Sequence, residues 1–268
     1  MTVTLAVSMA PLAVLTPPAL PPPSASGAQA GAVALPACPL VFGHGGYPTT
    51  DDARDKDRVR QPNNPSAVND QKTWGAQGVE GDVQLTKRGR QAVMWHNPTT
   101  AGLTGDTRRI TATRWTAGTG SLRDRRIARG PYRGERVYSL REWLDHVKSR
   151  GLIALLEIKP RSRSVLADPA LGARAWREIS DPIRDRQDEQ RIMVYSQDPW
   201  IQRELAARHP ALLRGSAARW TDSVAWDEPV PPWTGNTRRW QAVLAQAPKS
   251  VMTNYTKEYR AWLAGRCR

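Results

Sequence analysis

The chain is poor in cysteine, histidine and phenylalanine, with two Cys, four His and one Phe in 268 residues. Two cysteines exclude a small scaffold stapled by several disulfides, and neither has a Cys or His at metal-ligand spacing. No Asp, Glu, Lys or Arg occurs between Met1 and Thr50, so the whole formal charge of +14 lies on Asp51–Arg268. That stretch contains no run of five like charges, which excludes a basic arm for nucleic acid. Nucleotide-phosphate loops, nucleic-acid motifs and internal repeats are also absent, so no specific nucleic-acid partner is expected. What is abundant is Arg and Lys (39 against 25 Asp and Glu), Pro (22) and Trp (11), within the ordinary globular usage of 40% hydrophobic and 24% charged residues. A basic surface of this kind attracts anionic substrates or surfaces.

Thr2–Leu15 is an apolar run too short to span a bilayer, and a Pro-rich stretch and the small residues of Ser24–Ala30 follow it. Residues 1–30 therefore read as a signal peptide or a disordered leader, although a basic start is missing, and 31–268 as the folded domain. This predicts a secreted, extracellular protein. Cys38 precedes the first expected strand and Cys267 follows the last expected helix, so a disulfide between them would tie the ends of the domain together. The alternative is two unrelated thiols.

Short β-rich runs alternate with helical ones. Strands are expected at Leu40–His44, Gly78–Thr86, Gln91–His96, Leu152–Ile158, Ile192–Ser196, Leu212–Ser216 and Ser250–Asn254. Helices are expected at Ala67–Gly75, Leu140–Ser149, Ala173–Arg186, Pro199–Arg208, Thr237–Gln246 and Thr256–Ala264. Strands separated by helices imply parallel pairing, and about 240 residues suit one α/β domain, a single (β/α)8 TIM barrel. Pro98–Val137, polar and rich in Gly and Arg, reads as a small excursion with little regular structure.

Charge on buried strands marks the chemistry. Glu80 and Asp82 stand two apart in GVEGDVQLT, so both point to one face of an extended strand. Glu157 and Lys159 repeat the pattern at the end of the most apolar strand, LLEIKP. Barrel enzymes hold their active sites at the C-terminal ends of strands, and three converging carboxylates suit one divalent cation, Mg2+ or Ca2+. His44 closes LVFGH and His96 closes AVMWH, where two imidazoles would supply acid–base or nucleophilic chemistry. His146 and His209 read as structural.

HGG at 44–46, WGAQGVEGDVQLTKRGRQAVMWHN at 74–97, EIKP at 157–160 and RIMVYSQD at 191–198 resemble the glycerophosphodiester phosphodiesterase family, from Val41 to about Leu263. The resemblance implies a barrel phosphodiesterase with Glu80, Asp82 and Glu157 as metal ligands. It implies His44 and His96 as the catalytic pair, with Lys159 on a phosphate oxygen of a small-molecule or lipid-derived phosphodiester. The products would be glycerol 3-phosphate and an alcohol, made by a monomer in peripheral contact, at most, with an anionic membrane or wall. The chain departs from the family where Gly45 replaces an Arg, Asn63 a Glu and Asn97 an Asp, and in a polar insertion between Gly46 and Pro62.

Two other readings follow from the same residues. One is a secreted phospholipase D or sphingomyelinase D-like lipid phosphodiesterase, with Trp95, Trp200, Trp226 or Trp233 against a choline headgroup or membrane interface. The other is a non-catalytic protein that binds anionic ligands on the same fold.

Overall fold

The computed structural model describes residues 37–46, 63–116, 120–210, 224–226 and 237–268. The strands are β1 (Leu40–Gly43), β2 (Gly78–Leu85), β3 (Ala92–Met94), β4 (Tyr138–Ser139), β5 (Ile153–Ile158), β6 (Ile192–Tyr195), β7 (Val224–Trp226) and β8 (Ser250–Thr253). Six of them form a parallel array in the order β7-β8-β1-β2-β5-β6. Seven α-helices accompany them among the described residues: α1 (Pro65–Thr73), α2 (Leu140–Ser149), α3 (Arg163–Leu166), α4 (Gly172–Arg184), α5 (Pro199–Arg208), α6 (Thr237–Leu244) and α7 (Thr256–Leu263).

This is a mixed α/β fold, and two expectations about it need correction. A closed (β/α)8 barrel is not present among the described residues, because β6 and β7 do not pair with each other. β3 is antiparallel to β2, with β4 antiparallel to β3. Only six residues, 86–91, separate β2 from β3, and a parallel return needs a crossover of a dozen or more. The strand expected at Leu212–Ser216, the leader at 1–30 and the polar insertion lie outside the described residues. No helix among the described residues is long and apolar enough to cross a membrane.

Strand alternation sorts the side chains by face. Val79, Val83, Ala154, Leu156, Ile158, Ile192 and Val194 pack under Trp143, Leu144, Trp176 and Ile179 from α2 and α4. The opposite face carries Phe42, Leu155, Met193, Tyr195 and Met252. The only Phe of the chain sits opposite Gly78, where an added Cβ would lie 2.3 Å from its ring. Glycine there makes room for a full aromatic side chain in the floor beneath the site.

Local signals set the helix ends. Ser139 and Glu142 form a reciprocal capping box at the start of α2, whose Leu140, Trp143, Leu144 and Val147 make one buried stripe. Asp198 caps α5 through the amides of Trp200 and Ile201 at 2.8 and 3.1 Å. The Pro98–Val137 excursion lacks long elements, as expected, yet is organised around Trp95, Leu103, Ile110, Leu122, Ile127, Tyr132 and Val137. Buried Arg125 braces it by donating to Thr100 Oγ1 and to the side chain of Asp106.

Cys38 and Cys267 are joined as a disulfide, with Cα atoms 4.8 Å apart, and the Cys38 amide donates to the Arg268 carbonyl at 2.7 Å. β1 and β8 are paired neighbours, so the bridge fastens elements that already touch. Closing a loop of 229 residues carries a chain-entropy value of about 5 kcal/mol, an upper figure. Reduction, or Cys267→Ala, is expected to lower the urea midpoint strongly, and an unchanged midpoint in dithiothreitol would show that the bridge adds nothing.

Glu142 offers a pH test. Burial raises its pKa, but Arg136 at 2.8 Å and Ser139 outweigh this and bring it from 4.5 to about 2. A pKa depressed by folding contributes stability above about 4.5 that is lost as pH falls towards 2. The urea midpoints of wild type and Glu142→Gln should therefore differ at pH 6 and converge in that window. A constant gap would exclude the linkage.

Candidate active site

Strand register alone assembles the site. Asp82 pairs with Glu157, and Glu157 pairs with Tyr195, so these three side chains form one row across β2, β5 and β6. One step back, Glu80 pairs with Leu155 and Leu155 with Met193. On the other side Thr253 pairs with Gly43 and Gly43 with Val79. Continuing by one residue brings Asn254, His44 and Glu80 side by side. The contacts agree: His44 Nδ1 lies 2.6 Å from Asn254 Oδ1, and His44 Nε2 lies 3.8 Å from Glu80 Oε2.

Glu80, Asp82 and Glu157 are buried, with one oxygen from each within 4.8 Å of the others. Lys159 Nζ reaches Asp82 Oδ1 at 3.0 Å and Glu157 Oε2 at 2.9 Å. Three carboxylates against one ammonium leave an excess of negative charge. Glu157 Oε1 is buried without a hydrogen-bond partner among the described residues. An all-oxygen, dehydrated donor set with that charge excess fits a hard divalent cation.

Charges within the cluster tune one another. Burial opposes ionisation of Asp82, but Lys159, both imidazoles and the Asn63 amide outweigh it and hold the carboxyl well below the usual range. Glu157 is pushed up, first by burial and then by the charge of Asp82. Burial alone would favour neutral Lys159, yet Asp82 and Glu157 keep it charged and raise its pKa. The Tyr195 phenol is driven well above its ordinary value by burial and then by the three carboxylates, and it stays protonated while hydrogen-bonding Glu80.

Glu80, Asp82, Glu157, Lys159, His44 and His96 all sit in this neighbourhood. His96 follows β3 and is near enough to act electrostatically on Asp82 and Glu157. His146 and His209 stand apart, bonded to Asn69 at 3.0 Å and Ser180 at 2.8 Å. Trp95 is buried, and its indole donates to the Thr99 carbonyl at 2.8 Å, so it does not face a headgroup. Trp226 is described in backbone only, and Trp233 lies outside the described residues.

Other residues gain roles only from the structure. Asn63 accepts from the Asp82 amide at 2.7 Å and donates to Asp82 Oδ2 at 3.0 Å, so this departure from the family pattern clamps a cluster carboxylate. Gly45 lies at φ 52°, a conformation in which an Arg would be strained. Gln84 Nε2 donates to the carbonyls of Trp95 at 2.5 Å and Asn97 at 2.7 Å, gripping the backbone on both sides of His96. The period of two along Glu80, Asp82 and Gln84 was the available signal for that residue; nothing in the sequence marked its partners.

A buried acidic cluster beside an imidazole on a parallel sheet is the arrangement of an enzyme site on an α/β fold. The glycerophosphoryl diester phosphodiesterase family model matches residues 66–255, more than half of the chain, and the chain belongs to that family. Solved structures agree on the fold. One from Silicibacter pomeroyi DSS-3, assigned as a glycerophosphoryl diester phosphodiesterase, has 18% identity and a TM-score of 0.61, covering 86% of this chain and 95% of that one. An Oleispira antarctica phosphodiesterase in complex with the product sn-glycerol-3-phosphate has 13% identity and a TM-score of 0.59, covering 86% and 98%. A glycerophosphodiester phosphodiesterase from Agrobacterium tumefaciens has 13% identity and a TM-score of 0.53, covering 84% and 100%. Among curated proteins no significant match is found.

Gln84 is expected to act as a positioning residue. Gln84→Met removes both donors to the His96 segment while keeping volume, and should lower kcat about tenfold with little change in KM. An unaltered kcat in a folded variant would remove Gln84 from the account.

Proposed function

We propose that the protein hydrolyses water-soluble glycerophosphodiesters to sn-glycerol 3-phosphate and an alcohol, with Mg2+ or Ca2+ held by Glu80, Asp82 and Glu157. The observation that carries this reading is the register row that sets His44 beside the three-carboxylate cluster. Family membership and the product bound to the Oleispira relative support the substrate class. When bound, the divalent ion would polarise the phosphoryl group and offset the charge that accumulates on its oxygens.

His44 donates through Nδ1 to Asn254 Oδ1, which turns Nε2 towards the cluster as a base. It removes the proton of the attacking hydroxyl as the new P–O bond forms; where that hydroxyl is the substrate's own glycerol, the cyclic phosphate formed is then opened by water, with the breaking of one ring P–O bond, to give sn-glycerol 3-phosphate. His96 protonates the oxygen of the departing alcohol as the old P–O bond breaks. Lys159, held charged, is placed to share a phosphate oxygen. Export of the chain forms part of the proposal and is supported by the Cys38–Cys267 disulfide, which persists in oxidising compartments.

Trp95 is buried and so lends no support to a lipid-directed enzyme, and the retained cluster speaks against a purely binding role. Turnover of glycerophosphocholine should vanish in EDTA, return with Mg2+ or Ca2+, and fall at least about 100-fold in His44→Ala and His96→Ala with folding intact. Full activity in EDTA would sink the metal assignment, and wild-type rates in either His variant would sink the acid–base pair.

A further inference from the structure

A cavity of about 460 Å³ opens between the His96 and Lys159 segments. One wall contains Gln84, which grips the backbone around His96, and Pro98, two residues beyond it. The lining also includes Pro160, immediately after Lys159, together with Arg161, Arg163 and Ser164. Arg109 and Thr111 from the excursion complete it. Its lining holds three arginines and no acidic side chain.

These guanidinium groups stand on fixed backbone. The Arg109 carbonyl accepts from Thr113 Oγ1 at 2.8 Å, next to fully buried Ile110. Arg161 occupies the tight turn Pro160–Ser162, anchored by buried Ser162. Arg163 is partly engaged, 3.5 Å from Asp198 and over the Trp200 ring. Neither Arg109 nor Arg161 has a carboxylate partner among the described residues. Unpaired guanidinium forks facing one cavity match the oxygens of a phosphate.

We infer that this cavity is a leaving-group subsite, and that the preferred substrate is a water-soluble diester whose departing alcohol carries a further phosphate. The inference rests on the proposed function, because it takes the alcohol protonated by His96 to leave along the wall beside it. It also gives part of the basic charge a place to act.

A second basic cavity, lined by Lys87, Arg88, Arg90, Arg114 and Arg174, supplies the control. Arg90→Ala/Arg114→Ala removes the same charge as Arg109→Ala/Arg161→Ala without touching the subsite, and all four side chains are exposed. The reading is the ratio of kcat/KM for glycerophosphoglycerol phosphate to that for glycerophosphoglycerol. A ratio of about ten is expected in wild type and in Arg90→Ala/Arg114→Ala, collapsing to about one in Arg109→Ala/Arg161→Ala. A wild-type ratio near one, or an equal fall in both double variants, would overturn the subsite, the latter by assigning the preference to the general field. Calorimetry of both diesters on His96→Ala reads the same preference without turnover. A binding preference that depends on Arg109 and Arg161 upholds phosphate recognition at this cavity; if neither diester is hydrolysed, it is the proposed function, and with it the leaving-group role, that fails.

Discussion

Three carboxylates held within 4.8 Å of one another, away from water, are the constraint around which the rest of this structure is arranged. Like charges at that spacing repel strongly in a low dielectric, so the cluster persists only if its surroundings supply positive charge and hydrogen-bond donors. Lys159 supplies the charge, Asn63 and Tyr195 supply donors, and two imidazoles lie near enough to add to the field. Under the proposed function, the excess that remains is what a divalent cation would offset. Each supporting group comes from a different segment, so the cluster exists only in the folded chain.

Beneath the cluster, the same face of the sheet turns apolar. Phe42, Leu155, Met193 and Met252 form a dry floor, and Gly78 makes room for the Phe42 ring. The reverse face packs against α2 and α4. With apolar packing on both faces, the strands cannot slip by one residue without exchanging the acidic row for the helix-facing row. Core packing and active-site geometry are therefore fixed by one register.

The basic surface and the acidic centre have complementary parts. A field of arginines draws anions towards the molecule, while the acidic cluster would repel an anion unless a cation intervenes. In the inferred subsite, Arg109 and Arg161 would convert a diffuse attraction into a position. The excursion after His96 carries one of these arginines and has its own small core, which gives a segment without long helices or strands a defined shape.

Much of this was legible in the residues. Alternation placed Glu80 and Asp82 on one face, Leu140–Ser149 and Pro199–Arg208 matched their helices to the residue, and the Cys38–Cys267 pairing followed from their places at the two ends of the domain. These features depend on local periodicity and capping, which a linear sequence records. The antiparallel return of β3, the clamps made by Asn63 and Gln84, the bond that His44 Nδ1 donates to Asn254 Oδ1 and the clustering of Arg109 with Arg161 depend on lateral register and loop packing. A sequence determines which way each side chain points along its own strand. Which side chain it meets across the sheet, near or far along the chain, is decided only when the strands pair, because that choice minimises the energy of the whole core.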